Sequence, residues 1–208
     1  MADFIERLKN QLAGELPGEE AQFRMAPTDR PRMNEALSAA MLQRQSAVLL
    51  YLFPQHGDWR IVLMKRPNYD GAHGGQVSIP GGQLEPGENH RQAALREFEE
   101  ETGISVGSGQ LLGNLSELFI EPSNFLVKPF VAYATDRPCF NPDPGEVEEI
   151  IELLVPTLMS DVTVKRGKVR LSSGSWVETP YFSVDGHMVW GATAMILSEL
   201  KEILRDLR

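Results

Sequence analysis

The chain has 208 residues, a formal net charge of −9, 42% apolar residues and 24% charged residues, which fits one globular domain with some decoration. The acidic balance argues against a general nucleic-acid binder, which would present a basic face. It leaves room for a phosphorylated substrate, because a bound divalent cation supplies local positive charge that residue counting omits.

The N-terminus, Met1-Ala2-Asp3-Phe4-Ile5-Glu6-Arg7, is charged and amphipathic and lacks the basic-then-apolar order of a secretion signal. No run approaches the roughly 20 apolar residues that a membrane-spanning helix needs. A lone Cys139 excludes an internal disulfide framework and suits a reducing compartment. A cytoplasmic protein with no membrane partner is therefore expected.

In chain order, Phe4, Ile5, Leu8 and Leu12 have near-helical spacing and predict a short helix over 3–16, ended by Pro17-Gly18. Residues 17–33 hold Pro17, Pro27 and Pro31 among polar residues and read as an extended arm. The division expected is thus a helix and arm over 1–33 and a globular domain over 34–208. Two apolar runs, 46–53 and 59–66, flank Pro54–Asp58 and signal a hairpin. A short strand over 76–79 runs into Pro80-Gly81-Gly82.

Residues 89–102 form the clearest helix, with Asn89 and Gln92 spaced as a capping box and Gly103 where a left-handed cap is usual. Strands are expected at 110–120, 125–134, 148–155, 162–170, 176–183 and 187–190, then a helix from 192 to 206. Its stripe of Met195, Ile196, Leu200 and Ile203 is helix core. Mixed strands with interspersed helices place the chain in the α/β (α+β) class, as a layered sandwich.

From Gly82 to Ile104 the sequence reads GQLEPGENHRQAALREFEEETGI. At about 100° per residue, Glu97, Glu100 and Glu101 share one helix face, beside Ala94, Phe98 and Thr102, and Glu99 points away. Converging carboxylates repel unless a cation sits among them, and hard Mg²⁺ or Mn²⁺ prefers oxygen donors. Arg96 can pair with Glu88 from the preceding loop and hold the ligands in place. An acidic helix is more often only a solvated face. Here the fixed slots (Gly82, Glu88, Arg96, Glu97, Glu100, Glu101, Gly103) are all filled. With each residue at roughly one in fifteen, chance gives such a match on the order of once in ten million.

This segment resembles the Nudix box, in full. The resemblance implies an α/β/α sandwich with a mixed sheet, in which Glu97, Glu100 and Glu101 are metal ligands, helped by the Gly81 carbonyl. Glu88 and Arg96 would form the supporting ion pair, Mg²⁺ or Mn²⁺ would be the cofactor, and water would be the nucleophile. The base varies in the family. Glu97 is the first candidate, followed by Glu146, Glu148 and Glu149 in DPGEVEEI, with Glu146 also a candidate metal ligand.

The stretch before the box, VLMKRPNYDGAHGGQVSIPGG, offers Lys65, Arg66, His73, Gln76 and Ser78 as substrate-binding groups. It resembles the signature of the coenzyme A diphosphatase branch of Nudix hydrolases. Glu121–Val131, Glu146–Pro156 and Val189–Ala194 resemble further segments of that branch. Pro67, Gly71 and Ile79 stand where the branch usually has Ser, Arg and Phe. The branch implies cleavage of coenzyme A or a derivative into 3′-phospho-AMP and a phosphopantetheine.

The alternatives are a Nudix hydrolase acting on ADP-ribose, dinucleoside polyphosphates or noncanonical nucleoside triphosphates, and a non-catalytic nucleotide sensor. His73 reads equally as a loop hydrogen-bonder and as a substrate contact, and Trp190 with Gly191 reads as core packing and a helix start ahead of a ligand platform. Tyr69, Phe119 and Phe125 could stack on an adenine. A homodimer is left open, as is whether residues 1–33 cover the core or reach a partner subunit.

Overall fold

A computed structural model describes residues 2–28, 30–33, 43–68, 74–171 and 174–207. The loop carrying Tyr69, Gly71 and His73 lies outside the described residues.

The centre of the molecule is β1 (Arg44–Gln55), whose AVLLYLF run is apolar on both faces because it is covered on both. Ala47, Leu49, Tyr51 and Phe53 point into one core layer, and Leu50 and Leu52 into the other. β1 pairs antiparallel with β2 (Asp58–Lys65) and, over its first half, with the short β4 (Gly81–Gln83). The hairpin turn uses His56 at φ 51° and Gly57 at φ 89°, the two left-handed residues that suit the strand twist. On its other side β1 runs parallel to β7 (Phe125–Tyr133). β3 (Val77–Ser78) and β8 (Glu149–Leu154) join β2, while β5 (Leu111–Asn114) and β6 (Leu118–Ile120) join β7. Among the described residues this makes a mixed sheet of eight strands.

The strand expected over 110–120 is two strands. Pro129 of β7 has no N–H to offer, so the ladder breaks there. The Leu115 N–H bonds the Pro129 carbonyl (2.9 Å), and β6 resumes lower down at Leu118 opposite Val127.

The helix α1 (Ala2–Leu12) ends earlier than expected, in an Ala13–Gly14 turn. Its Leu8 and Leu12 are buried, and Phe4 stacks on Trp59 with ring centroids 5.2 Å apart. The segment read as an extended arm contains a further helix, α2 (Gly18–Phe23), in which Ala21 and Gln22 are buried. Charged and amide residues in GEEAQF masked its one inward face. Both N-terminal helices thus cover the core.

The box helix is α3 (His90–Thr102), packed on β1. α4 (Val155–Met159) begins where Pro156 ends the ladder of β8 at a position helices accept. Among the described residues a second sheet of three strands, β9 (Val164–Arg170), β10 (Trp176–Val184) and β11 (His187–Val189), leads to α5 (Gly191–Arg205). Met195, Ile196, Leu200 and Ile203 are buried as the stripe predicts. Among the described residues no helix is long and apolar enough to cross a membrane.

Candidate active site

α3 is held at both ends before any chemistry enters. Asn89 Oδ1 accepts the Gln92 N–H (3.1 Å) and Gln92 Oε1 accepts the Asn89 N–H (3.0 Å), a reciprocal cap worth about 1 kcal/mol. At the other end Gly103, at φ 72°, donates its N–H to the Glu99 carbonyl (2.8 Å). Between these ends the helix buries Ala93, Ala94, Phe98 and Thr102, with the Phe98 ring 4.9 Å from that of Tyr51. This packing fixes the rotation of the helix and therefore the depth of each carboxylate.

The three box glutamates consequently sit in different environments. Glu101 is 1% exposed. Its Oε2 accepts the Gly81 N–H (2.7 Å) and its Oε1 the Arg66 Nη2–H (3.1 Å). Burial pushes its carboxyl up to about 7, against the pull of Arg66 and the Gly81 N–H, with Glu97 and Glu146 adding repulsion. Glu97 is half-buried, and burial raises its carboxyl too, opposed by Arg96 and reinforced by the charges of Glu100 and Glu146. Glu100 points outward.

Arg96 ties the loop to the helix. Its Nε and Nη2 grip both oxygens of Glu88 (2.8 and 3.0 Å), while Nη1 donates to Glu97 (3.0 Å) and Glu100 (2.9 Å). Nη2 also reaches the Gln83 carbonyl (3.2 Å). The planar fork suits two carboxylate oxygens at once. Its hydrogen bonds hold the Glu88 carboxyl below the usual carboxylate range. The Glu88–Arg96 pair expected from the box spacing is present.

The glycines before the helix have separate duties. Gly81 is at φ 147°, and a Cβ there would overlap the backbone of Ala47 and Val48 on β1. A Cβ on Gly82 would overlap the Glu97 carboxylate. Strand, loop and helix can close on one another only with bare backbone at both positions.

Arg66, Pro67, Gly81, Gly82, Gln83, Glu97, Glu101, Gly145 and Glu146 line a cleft of about 320 Å³. Five of the expected site residues meet there: Arg66, Gly81, Glu97, Glu101 and Glu146. Lys65, Gln76, Ser78, Glu88, Arg96 and Glu100 are not part of its lining. Lys65 pairs with Glu148 (2.5 Å), and Glu149 faces His187 (3.5 Å). Among the described residues Ser78 Oγ is buried without a partner, and the Gln76 carbonyl accepts the Arg66 N–H (3.0 Å). Phe119 is buried, Phe125 lies beneath Arg44 at 4.1 Å, and Trp190 caps α5. Pro67, Gln83 and Gly145 were not anticipated as lining. Gly145 lies in the DPGE turn beside Glu146, the one signal that could have found it.

The donor set fits a hard divalent cation in its chemistry. Carboxylates of Glu97, Glu101 and Glu146 line one cleft, and the charge of Glu146 adds to the burial that raises the proton affinity of Glu97 and Glu101, the condition that a divalent cation relieves. Among the described residues, no three His, Cys, Asp or Glu side chains stand as a ready ligand set. Arg96 pairs with Glu97 and Glu100, and Arg66 pairs with Glu101.

A family model described as the NUDIX domain matches residues 43–163. Nudix hydrolase 15, mitochondrial, of Arabidopsis thaliana is 33% identical over 162 residues, which are 74% of this chain and 56% of that protein. The mitochondrial coenzyme A diphosphatase NUDT8 of Homo sapiens is 31% identical over 139 residues, 64% of this chain and 58% of that one. The chain therefore spans little more than half the length of either relative. The crystal structure of MutT protein from Methanosarcina mazei Go1 superposes with a TM-score of 0.54 at 16% identity, over 82% of this chain and 99% of that chain, and shows the same fold. With the glutamate helix, its glycine loop and the mixed sheet all in place, the chain belongs to the Nudix hydrolase family.

Proposed function

We propose that this chain is a metal-dependent diphosphatase that hydrolyses the anhydride of coenzyme A or a derivative, releasing 3′-phospho-AMP and a phosphopantetheine. The observation that carries the hydrolytic reading is the carboxylate cleft, where Glu97, Glu101 and Glu146 converge beside Gly81 and Gly82. The coenzyme A reading is supported by the segments before and after the box and by the human relative named for that activity.

Glu97 and Glu101, with the Gly81 carbonyl, would hold Mg²⁺ or Mn²⁺, and Glu100 would join them on leaving Arg96. When bound, the cation polarises the diphosphate oxygens and acidifies water at the site. The chain's own groups do the rest. Arg96 keeps Glu97 aimed at the cleft through the Glu88 grip. Arg66 and the Gly81 N–H keep both Glu101 oxygens oriented. Among the described residues the Glu146 carboxylate has no hydrogen bond or ion pair, so an oxygen is free to take the proton from the attacking water. Water oxygen bonds to one phosphorus, and the bridging oxygen leaves with the other phosphoryl group.

The test is a substrate panel of coenzyme A, ADP-ribose, diadenosine polyphosphates and nucleoside triphosphates, with Mg²⁺ and with Mn²⁺, using Glu97→Gln as control. Fastest cleavage of coenzyme A, abolished by the control, is expected. Intact coenzyme A beside rapid cleavage of another substrate would overturn the substrate and keep the chemistry.

A further inference from the structure

Lys65 and Arg66 end β2 beside the cleft, where cations would ordinarily be read as diphosphate ligands. The structure engages Lys65 elsewhere. Its carbonyl accepts the Glu148 N–H (2.9 Å), and its ammonium pairs with the Glu148 carboxylate (2.5 Å), immediately before β8 joins β2 at Lys65 opposite Glu149. The same chain segment is pinned at its other end. The Asn141 N–H donates to the Thr102 carbonyl at the end of α3 (2.9 Å), and Gly103 has no Cβ because one would lie 2.5 Å from the Asn141 carbonyl oxygen.

Between these anchors the loop is tied to itself by hydrogen bonds to Asp143. The Asp143 carboxylate accepts the Gly145 N–H (2.8 Å), and the Asp143 carbonyl accepts the N–H groups of Glu146 (3.1 Å) and Val147 (2.8 Å). Val147 is buried and acts as a plug. Glu146 is thus the acidic residue of a doubly anchored loop that reaches the cleft lining, while Glu148 does not.

We infer that Lys65 is a positioning residue: through Glu148, and with the Thr102–Asn141 contact, it holds the Glu146 carboxylate over the Glu97–Glu101 cleft. The inference rests on that cleft being the hydrolytic site. A loop on a single anchor would let a long, exposed carboxylate swing into solvent. Two anchors, one on the strand before the cleft and one on the end of the glutamate helix, fix it to the groups it works beside.

The sign of one measurement separates this role from substrate binding. Removing a cation that merely lines the cleft should leave Mn²⁺ affinity unchanged or tighter, by simple repulsion. Removing a cation that positions Glu146 should weaken it. Calorimetric Mn²⁺ titrations of the full chain would compare wild type, Lys65→Met, Glu148→Gln, Lys65→Arg, Glu146→Gln and the Lys65→Met/Glu146→Gln pair, with melting curves for each. Lys65→Met, Glu148→Gln and Glu146→Gln should each weaken Mn²⁺ by about tenfold. The double variant should be no weaker than Glu146→Gln, and Lys65→Arg should restore wild-type binding. In turnover, Lys65→Met should lower kcat and leave KM in place.

Unchanged or tighter Mn²⁺ binding in Lys65→Met, additive losses in the double variant, or a raised KM at constant kcat would each overturn the inference. So would wild-type Mn²⁺ affinity in Glu146→Gln. Should Lys65→Met fail to fold, Glu148→Gln cuts the same ion pair from the other side. A wild type that binds Mn²⁺ yet cleaves nothing would defeat the functional proposal alone, and the titrations would still decide the role of Lys65.

Discussion

The Glu97 carboxylate packs directly against the backbone of Gly82, in space that any side chain there would fill. Gly82 lies on β4 and Glu97 two turns into α3, so this contact joins the loop before the box helix to the helix itself. The obstacle a side chain would meet is a carboxylate rather than backbone, and the carboxylate can move. Gly82→Ala is therefore expected to fold, with Glu97 displaced. Mn²⁺ affinity and kcat should fall by about 10- to 100-fold, with little change in melting temperature. A large fall in melting temperature instead would mean that the backbone, not Glu97, bears the clash.

Gly81 gives the opposite expectation. At φ 147°, with Ala47 and Val48 backbone atoms in the way, an alanine has neither a suitable conformation nor space. Gly81→Ala should destabilise the fold by about 1–3 kcal/mol, read by denaturant unfolding of the metal-free protein. The neighbouring glycines would then separate on two axes, one structural and one catalytic.

Arg96 reaches three carboxylates and one carbonyl with a single fork. Lysine keeps the charge and loses the planar geometry. Arg96→Lys is expected to lower Mn²⁺ affinity by about tenfold or more. Normal affinity in that variant would show that charge alone suffices.

The local chemistry of the box helix was legible because its rules are short-range. The Asn89–Gln92 cap, the Gly103 stop and the Glu88–Arg96 pair lie within a few turns of one another, and each has the partner expected from spacing. The face division of α3 was legible in part. Periodicity placed Glu97, Glu100 and Glu101 together, but their unequal burial depends on how Phe98 meets Tyr51 of β1. Long-range pairings were not legible. Nothing near Lys65 marks Glu148 as its partner, because they meet only through the β2–β8 register. Pro129 interrupting the ladder beside β5 and β6 likewise becomes visible only once β7 is paired.

α2 was missed for a related reason, and its anchor makes a prediction. Glu199 on α5 is fully buried, yet it accepts hydrogen bonds from the Gly18 N–H (3.2 Å), Gln22 Nε2 (2.9 Å) and the Ser116 N–H (3.2 Å). A buried carboxylate with three donors loses little, but its removal strands the Gly18 and Ser116 N–H groups and leaves Gln22 Nε2 only the Ser116 carbonyl (3.1 Å). Glu199→Ala should destabilise the protein by about 3 kcal/mol and admit protease between α1 and α2. Cleft chemistry should survive at low temperature, because none of Gly18, Gln22, Ser116 and Glu199 lines the cleft.

The end of α5 carries the last prediction, in which pH decides. Lys201 is nearly buried, and its ammonium meets the exposed Asp161 carboxylate at 2.9 Å, with Arg205 on the same oxygen at 2.7 Å. The hydrogen bond from Lys201, then the charges of Lys201 and Arg205, hold the Asp161 carboxyl below the ordinary aspartate range. A carboxyl depressed in the folded state stabilises the protein above its unfolded pKa, and that stabilisation is lost as pH falls through the folded value. Asp161→Asn should accordingly lower the melting temperature at pH 7 by removing the counter-charge of a largely buried lysine. The gap between variant and wild type should close on acidification below the aspartate range, where the wild-type carboxyl is neutral as well. Melting curves across that range check the sign. A gap that persisted in acid would mean that the asparagine disturbs packing around Ser160 and Thr163, and that the charge pair contributes little.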